Sequence, residues 1–125
     1  MNHHLINCII IEDEPLAVNI VEEYIAKAGN LKLLNKFQNL SEAWNDINTT
    51  KGILIFNDLD YKNEKITSTE IEQILQSGHK IIFTTAYPKN YLVVENLLIN
   101  SNIGYLCKPF SFSNFMKEVE RILSF

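Results

Sequence analysis

Ile53-Leu54-Ile55-Phe56-Asn57-Asp58 is a short apolar run that ends on an acid. Four β-favouring residues with no polar alternation read as a strand covered on both faces, which belongs in a parallel sheet. Four more runs surround it: Leu5–Ile11, Leu31–Phe37, Lys80–Phe83 and Ile103–Cys107. All but Leu31–Phe37 end as Ile53–Phe56 does, on residues that carry chemistry. Glu12-Asp13 follows the first run, Thr84-Thr85 the fourth and Lys108-Pro109 the fifth. In a parallel α/β sheet every strand C-terminus lies along one edge, where ligands bind. Glu12, Asp13, Asp58, Thr85 and Lys108 are therefore expected in one pocket.

Helical periodicity fills the intervals. Ala17, Ile20, Val21, Tyr24, Ile25 and Ala28 lie on one face of a helix that Gly29-Asn30 would stop. Leu40, Ala43, Trp44 and Ile47 mark a second helix, and Ile71, Ile74 and Leu75 a third. The third has two possible capping boxes, Thr67/Glu70 and Thr69/Glu72. Pro88 suits the first turn of a fourth helix through Tyr91, Val94 and Leu98. Phe112, Phe115, Met116, Val119, Ile122 and Leu123 give a fifth, capped by Ser111. Strands alternating with helices predict a flavodoxin-like (βα)5 sandwich, an α/β fold with a parallel five-stranded sheet in the order 2-1-3-4-5. A chain of 125 residues is expected to form one domain, residues 1–125, standing alone or as a piece of a longer protein.

Composition narrows the function. Hydrophobic residues make up 46% and charged residues 21%, as in ordinary globular proteins. Net charge is −4 and no Lys/Arg cluster is present, which argues against direct nucleic-acid binding by this domain and against an anionic membrane surface. No apolar run approaches a membrane span, and residues 1–7 lack signal-peptide features. Cys8 and Cys107 both fall in apolar runs without CxxC spacing, which predicts two reduced core thiols and a cytoplasmic protein.

The clustered acids define a chemistry. Carboxylates as close as Glu12, Asp13 and Asp58 repel unless a cation neutralises them, and Mg²⁺, which seeks hard oxygen ligands, is the natural partner. Asp58 is a candidate nucleophile that can accept a phosphoryl group as an acyl phosphate. Lys108 would meet the phosphate as a point charge and the Thr85 hydroxyl as a hydrogen-bond donor. Each residue also has a plain reading taken alone. Asp13 could cap the first helix, Thr85 is a common strand-end residue, and Lys108 could be a solvated lysine before a turn. Their shared position at strand ends is what favours the site.

The motifs Ile11-Glu12-Asp13-Glu14-Pro15, Phe56-Asn57-Asp58, Thr84-Thr85-Ala86-Tyr87 and Tyr105-Leu106-Cys107-Lys108-Pro109-Phe110 resemble the receiver domains of two-component response regulators. The resemblance runs from about Asn7 to Leu123. Residues 12–17 and 83–87 are most similar to receivers that precede LytTR-type DNA-binding domains. It implies that Asp58 is the phosphoacceptor and that Glu12, Asp13 and Asp58 hold Mg²⁺ with the backbone carbonyl of Asp60. It further implies a phosphate-sensing Lys108 before a cis bond to Pro109, and a switch made of Thr85 and Tyr105. A sensor histidine kinase would be the donor, and the protein a switch that catalyses its own phosphorylation rather than a metabolic enzyme. The output would be transcription, through DNA contacts of a downstream LytTR-like domain. A homodimer through the fourth helix, fifth strand and fifth helix is the family-like assembly.

The chain departs from the family after Asp58. Tyr61 and Lys62 stand where a Met-Pro pair is usual, and Ile66 where glycine is usual. The Thr85–Tyr105 interval is about three residues longer than in LytTR-type receivers, close to one helical turn. Two alternatives remain beside the main reading. A pseudo-receiver, a pure interaction module, would fit the altered loop. A phosphatase resembling the haloacid dehalogenases would use Asp58 and Asp60 as its D-x-D pair.

Overall fold

The computed structural model describes residues 5–59, 66–87 and 100–124. Five strands form one parallel sheet: β1 (Ile6–Ile11), β2 (Leu31–Phe37), β3 (Leu54–Asp58), β4 (Lys80–Thr85) and β5 (Ile103–Cys107). Their order is β2-β1-β3-β4-β5, so the flavodoxin-like arrangement expected from the sequence is the one observed. The described helices are α1 (Pro15–Ala28), α2 (Leu40–Thr49), α3 (Ser68–Gln76) and α4 (Phe112–Leu123), the last being the fifth helical pattern of the sequence. The fourth pattern, from Pro88 to Leu98, lies outside the described residues.

The period-2 geometry of a strand sends alternate side chains to opposite faces. Cys8, Ile10, Phe56, Ile82 and Leu106 point to one face, against Val21 and Ile25 of α1 and Phe115, Val119 and Ile122 of α4. Ile9, Ile11, Ile55, Ile81, Phe83 and Ile103 point to the other, against Leu40, Ala43 and Ile47 of α2 and Ile71 and Ile74 of α3. Each fully buried Ile or Phe contributes about 1.5–3 kcal/mol relative to an exposed one, so the two-sided core holds the sheet. A stack of Phe56 on Phe115, ring centroids 5.2 Å apart, joins the middle of the sheet to α4.

The helix boundaries follow their caps. Gly29 takes φ 82°, a left-handed conformation that ends α1. Thr67 and Glu70 form the capping box of α3, which decides between the two candidates. Ser111 caps α4 through the N–H of Asn114.

Three expectations need correction. β2 is not covered on both faces: Lys32, Leu34, Asn35 and Lys36 are exposed, because β2 is an edge strand with a register shift opposite Cys8/Ile9. Cys107 is exposed at the end of the other edge strand, whereas Cys8 is buried, and both thiols are free. β3 and β4 run to Asp58 and Thr85 and include them, because ladder pairing continues past the apolar run. Among the described residues no helix is long and apolar enough to cross a membrane.

Candidate functional site

Strand register builds the site. Ile11 pairs with Asn57, which sets Glu12 beside Asp58. Asp58 pairs with Thr84, and Thr85 pairs with Cys107, which carries the same edge across to Lys108. Four residues distant in sequence thus arrive within two register steps of each other.

The side chains of Glu12, Asp58 and Lys108 converge. Lys108 Nζ donates to Glu12 Oε1 at 2.8 Å and to Asp58 Oδ1 at 3.0 Å. Glu12 and Asp58 are 6% and 2% exposed, so both acids are held out of water. Asp13 is exposed at the rim, and one oxygen from each of Glu12, Asp13 and Asp58 lies within 4.8 Å of the others. Asp13 does not cap α1. Glu14 is the N-cap, its carboxylate accepting from the Ala17 N–H at 2.9 Å, and this leaves Asp13 to face the cluster.

The electrostatics follow from burial. Burial pushes the Glu12 carboxyl up to about 7, and the Asp58 charge adds to this against the opposing ammonium of Lys108. Burial alone would lower Lys108, but its bonds to Glu12 and Asp58 outweigh that and hold the ammonium above the usual lysine range. With all four groups ionised, three carboxylates and one ammonium leave two negative charges in excess. An all-oxygen donor set with that excess at a partly open rim fits a divalent cation such as Mg²⁺.

The neighbouring β4–β5 edge holds the remaining candidates. Thr85 is fully buried, and its Oγ1 accepts from the Tyr87 N–H at 3.1 Å. The Lys108 N–H donates to the Thr85 carbonyl at 2.7 Å, tying the two strand ends together. Tyr105 is half-buried and its hydroxyl donates to the Tyr87 carbonyl, so Thr85 and Tyr105 share Tyr87 as a backbone partner. The Lys108–Pro109 peptide is cis. Asp60 lies outside the described residues. Tyr87 and Glu14 stand in the quoted motifs without an assigned role: Tyr87 acts through its backbone, which leaves no side-chain signal. Glu14 had a signal, since it directly precedes Pro15 in the first turn.

No family model matches the chain. It is 26% identical over 121 residues to an uncharacterised response regulatory protein of Vibrio cholerae, covering 95% of this chain and 49% of that protein. Over 80 residues it is 35% identical to the small ribosomal subunit biogenesis GTPase RsgA of Clostridium botulinum, covering 64% of this chain and 26% of that one. The chain therefore spans about half of the first relative and about a quarter of the second. It contains no G-x-x-x-x-G-K-[ST] loop, the phosphate cradle of P-loop GTPases. Among solved structures it resembles a response regulator from Thermotoga maritima, with TM-score 0.77 and 19% identity over 97% of this chain and 99% of that one. The receiver domain of the Erythrobacter litoralis regulator PhyR matches with TM-score 0.77 and 24% identity, over 98% and 92% of the two chains. The fold is that of response-regulator receiver domains.

Proposed function

We propose that this receiver-fold chain is a phosphoacceptor domain of a two-component response regulator, with Asp58 as the acceptor. The observation that carries the reading is Lys108 bridging two buried carboxylates, Glu12 at 2.8 Å and Asp58 at 3.0 Å, with Asp13 at the rim. That arrangement provides a nucleophilic carboxylate, a cation for the incoming phosphate, and acids for a metal.

An Asp58 oxygen attacks phosphorus while the P–N bond of a kinase phosphohistidine breaks. The imidazole leaves and takes a proton from solvent, and the product is a mixed anhydride on Asp58. Lys108 shifts from carboxylate to phosphoryl oxygen and offsets its charge. Thr85 gives up the Tyr87 N–H and donates its hydroxyl to another phosphoryl oxygen, which frees Tyr105 to follow. Glu12, Asp13 and Asp58, with the Asp60 carbonyl, would hold Mg²⁺, which when bound neutralises charge on the transferring group.

Residues 12–17 and 83–87 support an output through a LytTR-type DNA-binding domain and a role in transcription from the cytoplasm. A homodimer through β5, α4 and the Pro88–Leu98 segment is the matching assembly.

Intact-protein mass after incubation with Mg²⁺ and acetyl phosphate tests the reading. One phosphoryl adduct is expected on the parent and none on Asp58→Asn. An equal adduct on both would overturn it.

A further inference from the structure

The two edges of the sheet are guarded in different ways. β2 carries the exposed Lys32 and Lys36 and a register shift, both of which discourage strand addition. β5 is the other edge, and its sequence Ile-Gly-Tyr-Leu-Cys has no charge of its own.

The backbone groups of β5 divide by parity. Ile81 donates to the carbonyl of Asn102, and the N–H of Lys108 donates to Thr85, so even-numbered residues serve β4. Odd-numbered residues face the outer edge. There the Tyr105 N–H donates to Glu118 Oε2 at 2.6 Å, and Arg121 Nη2 donates to the Ile103 carbonyl at 3.3 Å. Arg121 also grips Glu118 in a fork, Nε to Oε1 at 2.7 Å and Nη2 to Oε2 at 2.9 Å.

In a parallel sheet, one residue of a neighbouring strand donates to the carbonyl before a given residue and accepts from the N–H after it. Around Gly104 those two groups are the Ile103 carbonyl and the Tyr105 N–H. We infer that the Glu118–Arg121 pair is an edge lock, a side-chain imitation of one residue of a sixth parallel strand that closes β5 to strand addition by a second copy of this chain. Gly104 provides the room. A Cβ there would lie 3.0 Å from Glu118 Oε2 and 3.0 Å from Ile122 Cγ1. A glycine inside a strand costs stability, and this close approach is a reason for it. The lock does not depend on the phosphoryl chemistry.

Amide hydrogen exchange with sedimentation velocity, run on the whole chain, tests the lock. In Glu118→Ala the Tyr105 amide should exchange roughly tenfold faster, the factor of one lost hydrogen bond. The Lys108 amide, bonded to β4, should stay within about twofold as the internal reference for folding. Without phosphorylation the variant should also self-associate at concentrations where the unphosphorylated parent does not, by strand pairing rather than through the homodimer contact proposed above. Arg121→Ala removes a half-exposed side chain, 47% accessible, and should move both readouts the same way if Glu118→Ala does not fold. An unchanged Tyr105 amide in a folded variant, or self-association no greater than the parent's, would overturn the lock.

Discussion

Lys108 Nζ lies 3.0 Å from Asp58 Oδ1, and the same ammonium reaches Glu12 Oε1 at 2.8 Å. The lysine is the internal counter-ion of two acids that the fold keeps dry. Removing it as Lys108→Met leaves both carboxylates without that charge. Breaking a fully buried pair costs about 3–5 kcal/mol, and the 22% exposure of Lys108 brings the expected loss to about 2–3 kcal/mol. Denaturant unfolding should show that loss without metal and a partial recovery in millimolar Mg²⁺. Equal losses with and without Mg²⁺ would count against a metal in the acid cluster.

Asp13 and Glu14 are adjacent and do different jobs. Glu14 caps α1 and Asp13 faces the acids. Asp13→Asn should leave stability within about 0.5 kcal/mol and lower Mg²⁺-dependent phosphorylation at least tenfold. Glu14→Ala should cost about 1 kcal/mol and leave phosphorylation near the parent's. Thermal melts and adduct yields on the two variants separate the roles, and an exchange of the two patterns would refute the assignment.

The two cysteines should differ in reactivity. Iodoacetamide should label Cys107 in the native protein and reach Cys8 only on unfolding, since Cys8 is buried and Cys107 exposed. Burial also pushes the Cys8 thiol from 9.0 up to about 12, which favours the protonated form in the fold. A raised folded pKa gives stability that is present below the unfolded value and lost as pH rises. Between about pH 9 and 12 the parent should lose up to about 1.4 kcal/mol per pH unit relative to Cys8→Ala. Parallel stability curves for the two proteins across that window would disprove the buried thiol's part.

Gly104 sits under α4, where an added Cβ meets Ile122 and Glu118 at 3.0 Å. Gly104→Ala should destabilise the domain by about 1–3 kcal/mol, as overpacking does in tight cores. A variant as stable as the parent in denaturant unfolding would show that α4 can retreat freely.

Most of the fold was legible because the buried strands lack alternation and the helices keep their period. Strands β2 and β5 were found at their full lengths, Leu31–Phe37 and Ile103–Cys107. Their edge positions follow from the order 2-1-3-4-5, but which side chains those edges expose does not follow from apolar content, so Leu34 and Cys107 read as interior. The meeting of Glu12, Asp58 and Lys108, with Thr85 on the same edge, was legible because strand ends of a parallel sheet coincide. Hydrogen bonds through backbone atoms were not. Neither Tyr87, joining Thr85 to Tyr105, nor Tyr105 N–H on Glu118 leaves a pattern in residue types. The i,i+3 pair Glu118/Arg121 is visible on a helix, but its reach to a strand edge needs three dimensions.

Phosphoryl transfer to Asp58 itself can be measured at the residue. Borohydride reduction of the acetyl-phosphate-treated protein, followed by tandem mass spectrometry, reads the modified position directly. Reduction of the acyl phosphate is expected at Asp58 alone, dependent on Mg²⁺. A reduced residue at Glu12 or Asp13, or no reduced residue in a protein that carries a phosphoryl adduct, would contradict it.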